Sequence, residues 1–120
     1  MDTRTVGKEK EELACLYLKR KGYQILKRNF SCRFGEIDII ARDDSTIVFI
    51  EVKYRTRSDS GTPEQAVTPG KRRKIIKTAD YYRMCAQILE DVPCRFDIIS
   101  VTRDKIIQFE NAFDYYGTTS

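Results

Sequence analysis

The spacing of apolar residues divides the 120-residue chain into seven elements. Over 4–21, Leu13, Ala14, Tyr17 and Leu18 recur at the three-to-four spacing of one helix face. Gly22 follows Lys19, Arg20 and Lys21, where a C-terminal cap belongs, and the early glutamates suit the positive start of a helix. Residues 23–32 read as a strand and 33–35 as a turn. The segment 36–43 begins with alternating polar and apolar positions and reads as a second strand. After the turn Asp43-Asp44-Ser45, residues 46–54 form a third strand with a continuous apolar centre, the pattern of a strand covered on both faces. These three strands predict a meander. Residues 55–63 form a polar loop with Gly61 and Pro63, expected to be mobile, and a short helical turn follows over 64–67. A second long helix is predicted over 70–89, with Thr68 as N-cap, Pro69 at its first position, and an apolar stripe of Ile75, Ile76, Ala79, Tyr82, Ala86 and Leu89. Pro93 breaks the chain. Residues 94–102 and 105–110 are the last two strands, joined by the turn Arg103-Asp104, and the tail 114–120 is expected to fray. The order αβββαββ, with no repeat or linker, predicts one α/β domain over 1–120.

Composition narrows the class. Charged residues make up 33% and hydrophobic residues 41%, which suits a folded soluble domain. A chain of this length buries roughly two-thirds of its unfolded surface, enough for one core. No stretch approaches 18 apolar residues, so no membrane span is expected, and the first residues hold no apolar signal segment, which predicts a cytoplasmic location. There is no histidine, which excludes His-based triads and zinc-protease motifs. Cys15, Cys32, Cys85 and Cys94 contain no C-x-x-C pair, and each is expected to act as a small buried hydrophobe.

The formal charge of +4 is a weak pointer by itself. Its distribution says more, since basic residues gather at 19–28, 53–57 and 71–77. Candidate chemistry lies between these clusters. Alternation places Glu36, Asp38 and Ile40 on one face of the second strand, and Phe49, Glu51 and Lys53 on one face of the third. Ionisable side chains beside an apolar core are costly unless paired or liganded. Any one of them alone reads as an ion-pair member. Together, two facing carboxylates suit Mg²⁺ or Mn²⁺, and a lysine two residues after the second carboxylate can orient a water or stabilise phosphoryl charge. The pattern D-x12-E-x-K on adjacent strands is what metal-dependent phosphodiester hydrolysis requires. Glu11 shares a helix face with Ala14, Cys15 and Leu18 and is the favoured further ligand. Glu12, one position round, is its substitute. The plainer reading of both is a pair of early-helix glutamates serving the dipole.

With these residues in view, GEIDIIARD (35–43) followed by VFIEVKYR (48–55) resembles the core of the PD-(D/E)xK nuclease superfamily. Over nearly the whole chain the sequence more closely resembles the small bacterial YraN-like family. Gly7-x-x-x-Glu11-x-x-Ala14-x-x-Tyr17-Leu18, Gly22-Tyr23, AVTPGKRRKI (66–75) and CRFDIISV (94–101) carry that likeness. The resemblance implies a restriction endonuclease-like fold, a mixed central sheet flanked by two long helices. Its site would contain Glu11, Asp38, Glu51 and Lys53, with Glu11, Asp38 and Glu51 on the metal and Asp38, Glu51 and Lys53 in catalysis. Ile37 stands where the superfamily name has proline, and Lys10 where the closer family often has glycine. The likeness implies nucleic-acid handling more firmly than a particular cleavage reaction.

For the substrate backbone, Arg55 and Arg57 follow the site strand, and Lys71, Arg72, Arg73, Lys74 and Lys77 gather at the start of the second long helix. Tyr81, Tyr82, Tyr115 and Tyr116 are of a type that stacks on bases, but helix aromatics more often pack, so Tyr82 is expected in the core, and Tyr115 and Tyr116, in the tail, are assigned no role. No sequence-reading module is visible, so specificity is expected for DNA structure. A metal-dependent DNA endonuclease, monomeric or a symmetric dimer, is the leading expectation. A non-catalytic nucleic-acid-binding or adaptor module working through a protein partner is the alternative.

Overall fold

A computed structural model describes residues 3–55, 67–103 and 105–114 of the chain. Helix α1 (Thr3–Arg20) leads into the strands β1 (Gln24–Cys32), β2 (Gly35–Asp43) and β3 (Thr46–Tyr54). Helix α2 (Pro69–Cys85) follows, then β4 (Cys94–Val101) and β5 (Ile106–Phe113). The five strands form one sheet in sequence order. Every neighbouring pair is antiparallel except β3 and β4, which run parallel because α2 makes the crossover between them. The protein is therefore α/β, with a mixed five-stranded sheet and two helices.

The helices cover opposite faces. Ala14, Cys15 and Leu18 of α1 pack on Ile39, Ala41, Val48, Ile50, Ile99 and Val101. Ile75 and Ala79 of α2 pack on Ile40, Ile47, Phe49, Phe96 and Ile98 on the other side. That double cover accounts for the apolar run Ile47–Ile50, all four residues of which are buried. Ile37 packs on the α2 side although Ile39, two positions on, packs on the α1 side. Regular alternation therefore breaks across Asp38, contrary to the single face expected for Glu36, Asp38 and Ile40.

Both helix ends are capped as their local sequences require. Gly22, at φ 94°, ends α1, with Tyr23 N–H donating to Leu18 C=O and Gly22 N–H to Lys19 C=O. Thr68 caps α2 by accepting from Lys71 N–H, with Pro69 next.

The predicted helix over 70–89 overran. Ala86 is the C-cap, and Gln87 takes φ 55° so that Ile88 N–H reaches Arg83 C=O. A glutamine thus adopts the left-handed turn more often given to glycine, a stop with no strong composition signal. As a result Ala86 and Leu89 are exposed rather than part of the stripe. Leu13, on the outer side of α1, is also exposed. Cys85, at the end of α2, is exposed where burial was expected, while Cys15 is buried and Cys32 and Cys94 are half-buried.

Strand β5 runs three residues beyond its predicted end at Glu110. Asn111 takes φ 54°, the β4–β5 register shifts between Phe96 and Ile98, and Phe113 stacks on Phe96 at 4.8 Å. The expected mobile loop after Arg55, the helical turn at 64–66 and the tail from 115, with Tyr115 and Tyr116, lie outside the described residues. Among the described residues, no helix is long and apolar enough to cross a membrane.

Candidate functional site

The site forms where two strands part. The β2–β3 ladder runs from Asp43 opposite Thr46 to Ile39 opposite Ile50 and then stops. Strand β3 continues, held on its other edge by β4 through Glu51 opposite Ile98 and Lys53 opposite Ser100. Val52 N–H is left facing the gap, and the Asp38 carboxylate accepts from it at 2.8 Å. A buried amide must find an acceptor, and here a side chain supplies one where the neighbouring backbone has moved away.

Asp38 is an uncomfortable anion. Burial, then the nearby Glu51 charge, raises its pKa from 3.8 to about 7, against the lowering effect of the Val52 hydrogen bond. Glu11 and Glu36 add negative charge in the same sense.

Glu51 is bracketed by cations. Its Oε1 lies 3.0 Å from Lys71 Nζ and 3.7 Å from Lys53 Nζ. The Lys53 pKa is lowered, first by burial and then by the adjoining Lys71 ammonium. Burial acts the same way on Lys71, but its contacts with Lys53 and Glu51 outweigh it and raise the Lys71 pKa. Two lysines and two carboxylates from β2, β3 and α2 thus share one half-buried pocket of charge.

The first helix resolves its two glutamates in opposite directions. Glu12 is exposed and pairs with Arg28 at 2.9 Å. Glu11 turns inward, and its Oε1 is buried with no hydrogen-bond partner. An unsatisfied buried carboxylate oxygen is costly and marks a place where a donor or cation would be welcome. Among the described residues, no three His, Cys, Asp or Glu side chains converge closely enough to hold a metal ion.

The basic residues separate into those committed within the fold and those facing solvent. Lys71, expected at the substrate backbone, is spent on Glu51. The Arg72 side chain donates to Val67 C=O at 2.9 Å and lies over the Phe113 ring at 5.4 Å. Arg55 is half-buried, with its N–H on Val101 C=O. Arg73, Lys74 and Lys77 are exposed along α2. Arg57 lies outside the described residues. Tyr82 packs edge-on against Phe30 at 5.2 Å, as expected of a core residue.

Two features escaped the sequence reading. Lys71 serves as counter-charge to Glu51, a pairing that joins residues twenty positions apart and leaves no local trace. Asp97 is fully buried, accepting from Arg95, Gln108 and Asn111 N–H. A charged residue inside the apolar run CRFDIISV was the one available signal.

Comparison with known proteins places the chain. Residues 10–101 match the family described as Uncharacterised protein family UPF0102. A UPF0102 protein of Lachnoclostridium phytofermentans is 48% identical over 118 residues, covering 98% of this chain and 100% of the relative. UPF0102 proteins of Persephonella marina and Thermodesulfovibrio yellowstonii are 49% and 48% identical over 108 residues each, covering 90% of this chain and 92% and 95% of the relatives. The matched span runs from the N-terminal helix through the end of β4 and so includes every residue of the charged pocket, and the chain belongs to the UPF0102 family.

Proposed function

We propose that the protein is a metal-dependent DNA endonuclease with a restriction endonuclease-like fold, acting on branched or processed DNA. The observation that carries this reading is the parting of β2 from β3, which exposes Asp38, Glu51 and Lys53 to one another. The donors fit a hard divalent cation, because all are carboxylate oxygens and the buried Glu11 Oε1 lacks a partner. Asp38 and Glu51 would hold Mg²⁺ or Mn²⁺, with Glu11 adding charge from α1. Bound there, the ion would supply Lewis-acid stabilisation of phosphoryl charge and of the leaving oxygen. A cation beside Asp38 would also return that carboxylate to its ionised form, since an opposite charge lowers a raised pKa.

Lys53 orients the attacking water and stabilises charge on the phosphoryl oxygens. Lys71 neutralises Glu51, a role that a bound cation would share. Lys74, Lys77 and Arg73 provide phosphate contacts on the exposed side of α2, which confer salt dependence without sequence choice.

The test is cleavage of labelled single-stranded, duplex, flap and four-way-junction DNA with Mg²⁺, Mn²⁺ or EDTA, run beside Asp38→Asn and Lys53→Ala. Metal-dependent cutting that both substitutions abolish is expected. One observation favours a second reading, a non-catalytic DNA-binding module: the Lys71–Glu51 pair already compensates the charge of the pocket. Salt-sensitive binding by the native chain with no cutting in any metal would decide for that module.

A further inference from the structure

We infer that the cavity between the β1–β2 turn and α2 takes one unpaired base of a DNA strand whose backbone follows α2, a substrate feature that rests on the nucleic-acid reading above. The cavity is about 400 Å³ and is lined by Arg33, Phe34, Lys77, Asp80, Tyr81 and Met84. It exists because the turn closes tightly on the helix. Gly35, at φ 150°, sits so near α2 that a Cβ there would meet Thr78 Oγ1 at 3.2 Å. A side chain at that position would crowd Thr78 on the helix.

The walls combine aromatic rings with cationic side chains. The Phe34 and Tyr81 rings meet edge-on, 6.2 Å apart at 65°, and Phe30 lies 6.3 Å from Tyr81. The Arg33 guanidinium lies 4.8 Å from the centre of the Phe34 ring. Aromatic and guanidinium planes bind any base face, whereas a base inside a duplex has no free face to offer.

Charge complementarity selects this occupant over an apolar or basic peptide. Lys71, Lys74, Lys77 and Tyr81 recur at three-to-four spacing, so the charged pocket, the exposed lysines and the aromatic cavity lie along one side of α2. Tyr81 is ten positions beyond Lys71, about 15 Å along the helix. That span holds about four nucleotides at B-form spacing. The geometry therefore places an unpaired base a few nucleotides from the phosphodiester that would meet Asp38 and Glu51. It would direct the protein to DNA with a single-stranded segment beside the cut.

The chain contains no tryptophan, so Tyr81→Trp introduces a single reporter. The probes are short oligonucleotides of equal length in EDTA: a base-bearing single strand, an abasic single strand and a blunt duplex. The base-bearing strand is expected to quench the tryptophan and to bind the native chain about tenfold more tightly than the abasic strand. A 2-aminopurine in that strand should change emission on binding the native chain. Phe34→Ala, and the exposed Arg33→Ser should Phe34→Ala fail to fold, should bring base-bearing and abasic affinities together. Equal affinities with an unquenched tryptophan overturn the base pocket while leaving the nuclease reading standing. Failure of all three probes to bind at low salt overturns both. An unphosphorylated apolar peptide that displaces the base-bearing strand from the cavity would also overturn it.

Discussion

Asp38 and Asp97 are aspartates on β2 and β4 of the same sheet, the first half-buried and the second fully buried, and their surroundings differ in kind. Around Asp97 the fold supplies more donors than one carboxylate needs. Oδ1 accepts from Arg95 Nε at 3.0 Å and Asn111 N–H at 2.9 Å, and Oδ2 from Gln108 Nε2 at 2.8 Å. Arg95 in turn donates to the Tyr23 hydroxyl at 2.6 Å and reaches Asp43 at 3.3 Å. The network ties β4 to β5 and to the exit of α1. Asp38 has one backbone donor, a carboxylate neighbour, and a pKa raised to about 7 by burial and by Glu51. A satisfied buried carboxylate holds a fold together. An under-satisfied one stores electrostatic free energy that a cation or substrate can release.

Five experiments test this contrast and the surface beside it. Asp97→Ala strands Arg95 without its main partner and should cost about 3–5 kcal/mol of stability. For a chain of this size that is a Tm loss of more than about 10 °C in thermal unfolding. A loss under about 1 kcal/mol would mean the network is ornamental. Changing both partners, Arg95→Met with Asp97→Leu, should recover much of the deficit, because no buried charge is then left alone.

Asp38→Asn should instead remove function. Cleavage should fall at least about 100-fold, near 3 kcal/mol in transition-state terms, while the protein stays folded. Retained cutting would separate Asp38 from the chemistry.

The same substitution sharpens the contrast in stability. In the native chain the unfolded state releases the Asp38 proton near pH 4, whereas the folded state keeps it until about pH 7. The folded state is therefore progressively disfavoured as pH rises through that window, and the penalty is complete above it. Asp38→Asn should match the native chain near pH 4 and exceed it by roughly 2 kcal/mol above pH 7, after allowing for a weaker bond to Val52. A stability difference independent of pH would contradict the raised pKa.

The smallest effect belongs to the surface. Lys74→Ala and Lys77→Ala should each weaken DNA binding a few-fold and lower the salt slope by about one. The slope should stay unchanged if these lysines never meet phosphate.

Local signals account for much of this. Apolar spacing locates all seven elements, and β3 has its predicted bounds, because continuous burial leaves an unmistakable apolar run. The ends that went astray depend on contacts elsewhere. Helix α2 stops at Cys85 because Gln87 accepts a left-handed turn. Strand β5 continues past Glu110 because the Asp97 carboxylate receives Asn111 N–H across the bulge. In the site, Asp38, Glu51 and Lys53 were legible because charged residues beside apolar strand segments stand out. Helix periodicity favoured Glu11, and its inward turn agrees with that preference.

Amino-acid order alone determined the succession of helices and strands, the charged triad at the ends of two apolar strands, and the basic start of α2. Those features follow from periodicity and desolvation cost, which act over a few neighbouring residues. Tertiary structure decided that Lys71 would face inward to Glu51 while Lys74 and Lys77 face water, and that Asp97 would be satisfied while Asp38 is not. It also brought the Phe34 turn against Tyr81. Each of these is set by which distant group occupies the remaining space in a packed interior, and local sequence patterns do not specify that packing.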